Sequence, residues 1–357
     1  MNKHLPLAAL LLASSAAASA QSSVTLFGIV DLGLRHVSNE GVGALNSMAS
    51  GGNATSRFGL RASEDLGGGL SAGFHLESGI AADTGASTTA NQLFDRRATV
   101  SLVSKTLGEL RAGRDFVPSY SNWSRFDPFS YVGVAGANLL LTATPAGPIN
   151  AAFGSNPNTT VRSSNGLQWL LPGNLGGFEG GLMVAAGEGG TVENGQHRVI
   201  GARLGYAAGP AVLSAATTVT RNTLTGSENF RDSAVGGSWD FGAVKVSAAW
   251  RRFQFVDAKQ TNLLLAAVVP LGAGQVKLSV NKADLDGSVG AVDIGANGAT
   301  QLGLGYVHEL SKRSALYTTA SRISNRGASK YTVPGGASGM AGGGRSTGLE
   351  FGVRHNF

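Results

Sequence analysis

The chain has 357 residues, no cysteine, 53 glycines and only 10 prolines; 42% of residues are hydrophobic and 14% charged, well below the roughly 25% charge of an ordinary soluble domain. The lack of cysteine excludes a disulfide framework, a thiolate nucleophile and a cysteine-ligated metal or iron-sulfur site. The longest apolar runs, such as Leu263 to Leu271, fall far short of the roughly 18 to 20 residues a membrane-crossing helix needs, which excludes a helical membrane protein.

Residues 1–20 read as a cleaved secretory signal. Asn2-Lys3-His4 is a short positive region, Leu5 to Ala13 an apolar core, and Ala18-Ser19-Ala20 a small-x-small cleavage site. Loss of Lys3 lowers the formal net charge from +6 to +5. Residues 21–357 are expected to form a single domain.

From Gln21 onward the apolar residues alternate. In Val24 to Arg35 one parity reads Val, Leu, Gly, Val, Leu, Leu and the other Thr, Phe, Ile, Asp, Gly, Arg, a period of two that marks a strand with unlike faces. Such segments recur at 24–36, 57–64, 70–78, 94–103, 109–116, 160–171, 177–187, 197–207, 211–222, 230–241, 244–255, 260–270, 274–284, 299–310, 315–325 and 346–357, sixteen in all.

The links between them alternate in length. Asp65 to Gly69, Ser104 to Gly108, Pro172 to Gly176, Ala208 to Pro210, Phe241 to Ala243, Leu271 to Ala273 and Leu310 to Ser314 are short and turn-like, and the links between these are mostly longer and polar. Short turns therefore gather at one end and long loops at the other. The expected fold is all-β: a 16-stranded antiparallel transmembrane β-barrel, because in hydrocarbon only helices or a closed barrel satisfy every backbone group. A soluble sandwich has no reason to segregate its loops by length.

The faces agree. In the last strand Leu349, Phe351, Val353 and Phe357 share one parity, and Gly348, Glu350, Gly352, Arg354 and Asn356 the other. Sixteen strands enclose a lumen too wide for side chains to fill, so the polar parity faces inward. By that criterion Arg57, Arg61, Arg97 and Arg162 point into the lumen, with the acids Asp31, Glu77 and Asp95. Leu263 to Leu271 is apolar on both parities, which implies cover from an inserted loop inside or a neighbouring subunit outside.

Four stretches together, Val24 to Asp31, Ser56 to Gly67, Gly108 to Arg114 and the terminal Phe357, resemble the general trimeric porins of the Gram-negative outer membrane, especially their betaproteobacterial branch. The resemblance spans essentially the whole mature chain. It implies a homotrimer in outer-membrane lipid, short periplasmic turns and long external loops, with the third loop folded inward to narrow the pore. It also implies recognition of Phe357 by the outer-membrane assembly machinery. The long link from about Phe116 to Thr159 fits that loop, and its aromatics, Tyr120, Trp123, Phe126, Phe129 and Tyr131, need apolar surface to bury.

The resemblance places Arg57, Arg97 and Arg162 on the basic wall of the constriction, with Arg61, Arg111 and Glu77 nearby and Asp127 as the loop's acidic reply. Because that reply is thin, the expected function is a passive channel for small hydrophilic solutes and ions with mild anion preference. Arg114 falls on the outward parity beside Leu110 and Ala112. It is expected at a subunit interface, facing Asp83 of a neighbouring copy.

Other chemistries find no support. The six histidines, His4, His36, His75, His197, His308 and His355, lack metal-ligand spacing, and Asp284-Leu285-Asp286-Gly287 lacks the remaining ligands of a calcium loop. There is no nucleophile elbow or dinucleotide-binding glycine motif, and no lysine-rich patch for nucleic acid. The chain is expected to use no cofactor and no metal and to be no enzyme; the alternatives are a barrel enzyme or a surface adhesin.

Overall fold

The computed structural model describes residues 23–187, 197–221 and 228–357; the expected signal sequence lies outside them. The strands are, in chain order, β1 (Ser23–Asn39), β2 (Gly43–Ser50), β3 (Arg57–Gly67), β4 (Leu70–Ala81), β5 (Ala86–Ser87), β6 (Arg97–Ser104), β7 (Gly108–Phe116), β8 (Arg162–Leu170), β9 (Phe178–Ala185) and β10 (Arg198–Ala208). They continue with β11 (Ala211–Arg221), β12 (Phe230–Asp240), β13 (Lys245–Phe255), β14 (Ala258–Leu271), β15 (Gly274–Asp286), β16 (Ser288–Val289), β17 (Val292–Asp293), β18 (Gly298–Glu309), β19 (Ser314–Arg326) and β20 (Arg345–Asn356). Leaving out β2 and the two-residue β5, β16 and β17, sixteen antiparallel strands form the wall. It closes where β1 pairs with β20, from Ile29 opposite Asn356 to Asn39 opposite Ser346. Gly28 and Phe357 exchange both backbone bonds, at 3.0 and 3.1 Å. Closure leaves no strand edge facing lipid.

The outward parity is apolar, as the alternation requires: Leu26, Leu34, Val100, Ile200, Leu213, Leu302 and Phe351 are all exposed. The inward parity carries the polar and charged groups.

One expected loop is a strand. Residues 37–56 read as a long external link, yet β2 pairs with the upper half of β1, from Asn39 opposite Gly43 to Leu32 opposite Ser50, while β3 pairs with its lower half. β2 and β3 thus form one wall position interrupted at residues 51–56. Neither parity of β2 is cleanly apolar, so the period-two signal is weak there. The Asp31 carboxylate holds the interruption by accepting the backbone N–H groups of Gly52, Asn53 and Ala54 at 3.2, 2.9 and 2.7 Å.

The third loop fills much of the lumen. It contains helix α1 (Pro118–Trp123), two 3-10 turns (Ser124–Phe126 and Ala137–Leu140) and helix α2 (Pro148–Phe153). Both helices start with proline at the first turn, where the missing N–H costs nothing. Trp123, Phe126, Tyr131 and Ala137 pack against Ala234, Ala249 and Leu264 of the wall, and Ile149 and Phe153 pack against Phe230 and Phe253. Each large apolar side chain so buried contributes about 1.5 to 3 kcal/mol. Leu264 is 1% exposed beneath this loop while Leu265 faces outward, so the loop covers the inside of the doubly apolar stretch. Gly133, at φ +70°, has no room for a Cβ because the Gly52 backbone lies against it, and Gly52 has none because Glu350 and Tyr317 fill its other side.

Candidate functional site: the pore constriction

Because the third loop lies against β10 to β20, the free part of the lumen runs along β3 to β8. There a cavity of about 720 Å³ separates Arg57, Arg96 and Arg162 on the wall from Tyr120, Ser121, Ser124, Ser130 and Asn138 on the loop. The basic side is braced. Arg96 Nε donates to Glu77 Oε1 at 2.6 Å, Arg57 Nε lies 3.7 Å from the same oxygen, and Arg162 Nε donates to the Arg96 carbonyl at 2.7 Å. The Arg162 guanidinium also lies over the Phe116 ring, 4.5 Å from its centroid, an attractive arrangement for a cation. Two guanidiniums, those of Arg57 and Arg96, share the Glu77 carboxylate, and the third, of Arg162, stands beside them. The loop side offers hydroxyl and amide groups and no carboxylate, and burial pushes the Tyr120 phenol above its usual range, so that side stays neutral.

Of the residues expected here, Arg57, Arg162 and Glu77 come together. Arg97 does not join them. It sits lower, toward the short-turn end, where Arg61, His75, Arg97, Glu109 and Arg111 line a second cavity of about 370 Å³. There Arg97 meets Asp115 at 3.1 Å, and Arg111 meets Asp115 at 2.8 Å and Glu109 at 2.7 Å. This level is nearly balanced in charge. The place expected for Arg97 is taken by Arg96, one residue before β6, where the chain has not yet entered the regular pleat and two consecutive side chains both reach the lumen side.

The expected acids are mostly occupied elsewhere. Asp127 is buried inside its own loop, accepting the N–H groups of Phe129, Tyr131 and Ala137 at 2.9, 3.0 and 2.9 Å. It braces the loop's fold and does not face the arginines across the pore, which corrects its expected place. Asp31 caps residues 52–54 and accepts from Tyr317 Oη at 2.6 Å. Asp95 accepts from Gly79 N at 2.8 Å and from the hydroxyls of Thr88 and Thr89 at 2.7 and 3.0 Å. Each carboxyl group is satisfied by N–H or hydroxyl donors of its own surroundings.

A buried pair unseen in the alternation anchors the third loop. Arg251 bonds both oxygens of Asp232 and donates to the Thr160 carbonyl at 2.7 Å and to Tyr131 Oη at 3.2 Å; Ser119 Oγ donates to Asp232 at 2.6 Å. Both residues sit on inward parities, which was the available signal. Arg114 Nε donates to the Asp95 carbonyl at 2.6 Å and Nη1 to Ser164 Oγ at 3.0 Å, so it has partners within its own chain. Among the described residues no cluster of metal-ligating side chains forms.

The profile of a family described as Gram-negative porin matches residues 7–328. The chain is 37% identical to outer membrane porin protein 32 of Delftia acidovorans and 28% identical to an outer membrane porin protein of Bordetella pertussis, over the whole of both chains in each case. The solved anion-selective porin from Comamonas acidovorans, 33% identical, superposes over 94% of this chain and 100% of its own with a TM-score of 0.77. A trimer form of OmpT from Vibrio cholerae, 11% identical over 94% of this chain and 99% of its own, shares the fold at a TM-score of 0.63. The closed sixteen-stranded wall, the loop folded into its lumen and these likenesses agree: the chain belongs to the Gram-negative porin family and forms a channel in the outer membrane.

Proposed function

We propose that the channel passes small hydrophilic solutes with a mild preference for anions, and that Arg57, Arg96 and Arg162 set that preference. The observation that carries this reading is the imbalance at the constriction: three guanidiniums against the single carboxylate of Glu77, facing a loop wall of hydroxyl and amide groups. Clusters of one sign set ion preference where a pore is narrow, because screening at physiological salt extends over about 8 Å and does not remove charges beside the permeating ion. Arg61, Arg97 and Arg111 form a second, more nearly neutral level on the periplasmic side. The anion-selective Comamonas porin supports the reading, since it shares both fold and a third of its sequence with this chain. Nothing in the arrangement calls for bond-making chemistry, and the channel works as a non-enzyme.

We propose further that three copies assemble, with Arg114 near the subunit interface, and that Phe357 takes part in recognition by the assembly machinery. Reconstitution of the purified barrel in a planar bilayer tests the channel reading. Stepwise conductance with a chloride-signed reversal potential in a potassium chloride gradient supports it; a silent barrel overturns it.

A further inference from the structure

The constriction is not lined by polar groups alone. Between the hydroxyl and amide groups, its cavity of about 720 Å³ is also bounded by Phe116, Tyr120, Val132, Leu141 and Val161. All five are only half-buried, and the surface they keep faces the lumen. An inorganic ion gains nothing from them, because an apolar side chain cannot replace the hydration water that a carbonyl or a charged group replaces.

This apolar surface begins at the cations. The Arg162 guanidinium lies over the Phe116 ring, 4.5 Å from its centroid. The Phe116 ring lies 4.7 Å from that of Tyr120, tilted by 30°. Tyr120 in turn meets Tyr131 edge to face at 5.1 Å, and the Tyr131 hydroxyl accepts from Arg251 at 3.2 Å. A shelf of two accessible rings, backed by a third that is tied to the wall, thus runs from the basic cluster to the third loop.

The arginines keep donors to spare. Among the described residues Arg162 spends only Nε on a hydrogen bond, to the Arg96 carbonyl, and Arg57 only Nη1, to the Thr55 carbonyl at 3.3 Å. A guanidinium carries five N–H donors in a planar fork that matches a carboxylate. The cavity therefore has two unlike sides in contact with each other: one presents N–H donors and positive charge, the other flat apolar surface. Its volume lies within the roughly 300 to 1,000 Å³ of small-molecule sites, which pair an apolar lining with a few placed polar groups.

We infer that the constriction is a low-affinity site for monocarboxylates with a flat apolar body, of which benzoate is the simplest; this rests on the anion preference proposed above and names the class of anion it serves. The carboxylate takes the free N–H groups of Arg57 and Arg162, while the ring lies along Phe116 and Tyr120, with Val132 and Leu141 at its edge. Charge alone attracts every monocarboxylate equally. The shelf adds attraction only for an apolar body, and ring against ring is a favourable contact. Because the site is open to water at both ends, the solute leaves as readily as it enters, which conduction requires.

The test uses the full mature barrel in a neutral planar bilayer with potassium chloride on both sides at neutral pH. Single-channel chloride current is titrated with potassium benzoate, with potassium gluconate, which has the same charge and a hydroxylated body, or with uncharged benzamide. The wild type should be half-blocked by benzoate at a concentration at least about fivefold below that of gluconate, and benzamide should leave the current unchanged. The triple variant Val132→Thr, Leu141→Asn, Val161→Thr keeps side-chain shape and removes apolar surface, and it should bring benzoate within about twofold of gluconate. Equal block of the wild type by benzoate and gluconate, block by benzamide as strong as by benzoate, or an undiminished benzoate preference in a variant that still shows conductance steps each overturns the proposal. If the wild-type reversal potential in a salt gradient is chloride-signed, those results leave the anion preference standing; a potassium-signed wild type overturns both. If the triple variant does not fold, the wild-type ratios and the isosteric pair Val132→Thr, Val161→Thr decide, the pair being expected to at least halve the benzoate preference.

Discussion

Arg251 and Asp232, on adjacent strands, form a bidentate pair at 2.9 and 2.6 Å with 0% and 1% of their side chains exposed, and Thr160, Tyr131 and Ser119 of the third loop all bond to it. The pair ties the loop that narrows the pore to the wall opposite the basic cluster. Removing one partner of a buried ion pair leaves an uncompensated charge at a cost of about 3 to 5 kcal/mol. Arg251→Met should therefore lower the heat resistance of the barrel and raise open-channel noise, since the loop loses the bonds to Thr160 and Tyr131 and Asp232 is left without its cation. Single-channel recording and heating on a semi-native gel check both. Quiet channels of wild-type stability would show that the loop is held elsewhere.

Neighbouring leucines on β14 test the sidedness of the wall. Leu264 is 1% exposed under the third loop and Leu265 is 51% exposed on the outside. Leu264→Ala opens a cavity and should destabilise by about 2 to 5 kcal/mol. Leu265→Ala should have a far smaller effect, since lipid fills the space. Urea midpoints for the two variants in the same detergent measure the difference, and equal shifts would contradict the assigned faces.

His197, one residue before β10, packs against Phe153 of α2 at a ring distance of 5.4 Å and lies 2.8 Å from the Pro157 carbonyl. Burial holds its pKa below the ordinary 6.5. A neutral buried imidazole contributes stability that is fully present above the unfolded pKa near 6.5 and is lost as pH falls through the lower folded value. The loop should thus become noisier in the bilayer as pH drops from 7 toward 5. His197→Gln should remove that pH dependence; a variant with the wild-type pH profile would exclude His197 as its source.

Most of the barrel was legible because lipid outside and water inside impose a two-residue period on every strand, and that period needs no knowledge of tertiary contacts. What escaped were the places where the rule is locally suspended. Gly43 to Ser50 pairs as a strand through its backbone while its side chains show no preferred face, and Arg96 precedes the regular part of β6. Parity also assigns a face and not a partner. Asp31, Asp95 and Asp127 could be placed near the lumen from sequence, yet their binding to loop N–H and hydroxyl donors depends on chain segments the alternation does not describe. Leu263 to Leu271 gained its explanation only once the third loop was seen to lie over it.

Arg114, on β7, is bonded to the Asp95 carbonyl and to Ser164 within its own chain. If it also faces a neighbouring subunit, Arg114→Leu should lower the temperature at which an assembled oligomer separates on a semi-native gel. Wild-type oligomer stability in that variant would remove Arg114 from the interface.

The central claim is that Arg57, Arg96 and Arg162 decide which ions pass. The most direct measurement is the reversal potential of single channels in a potassium chloride gradient, for the wild type and for the triple variant Arg57→Glu, Arg96→Glu, Arg162→Glu. The wild type should show the sign of chloride selectivity, weakening as salt rises because screening shortens the reach of the cluster. The triple variant should show the sign of potassium selectivity. A cation-selective wild type, or a triple variant whose sign is unchanged, would contradict the account.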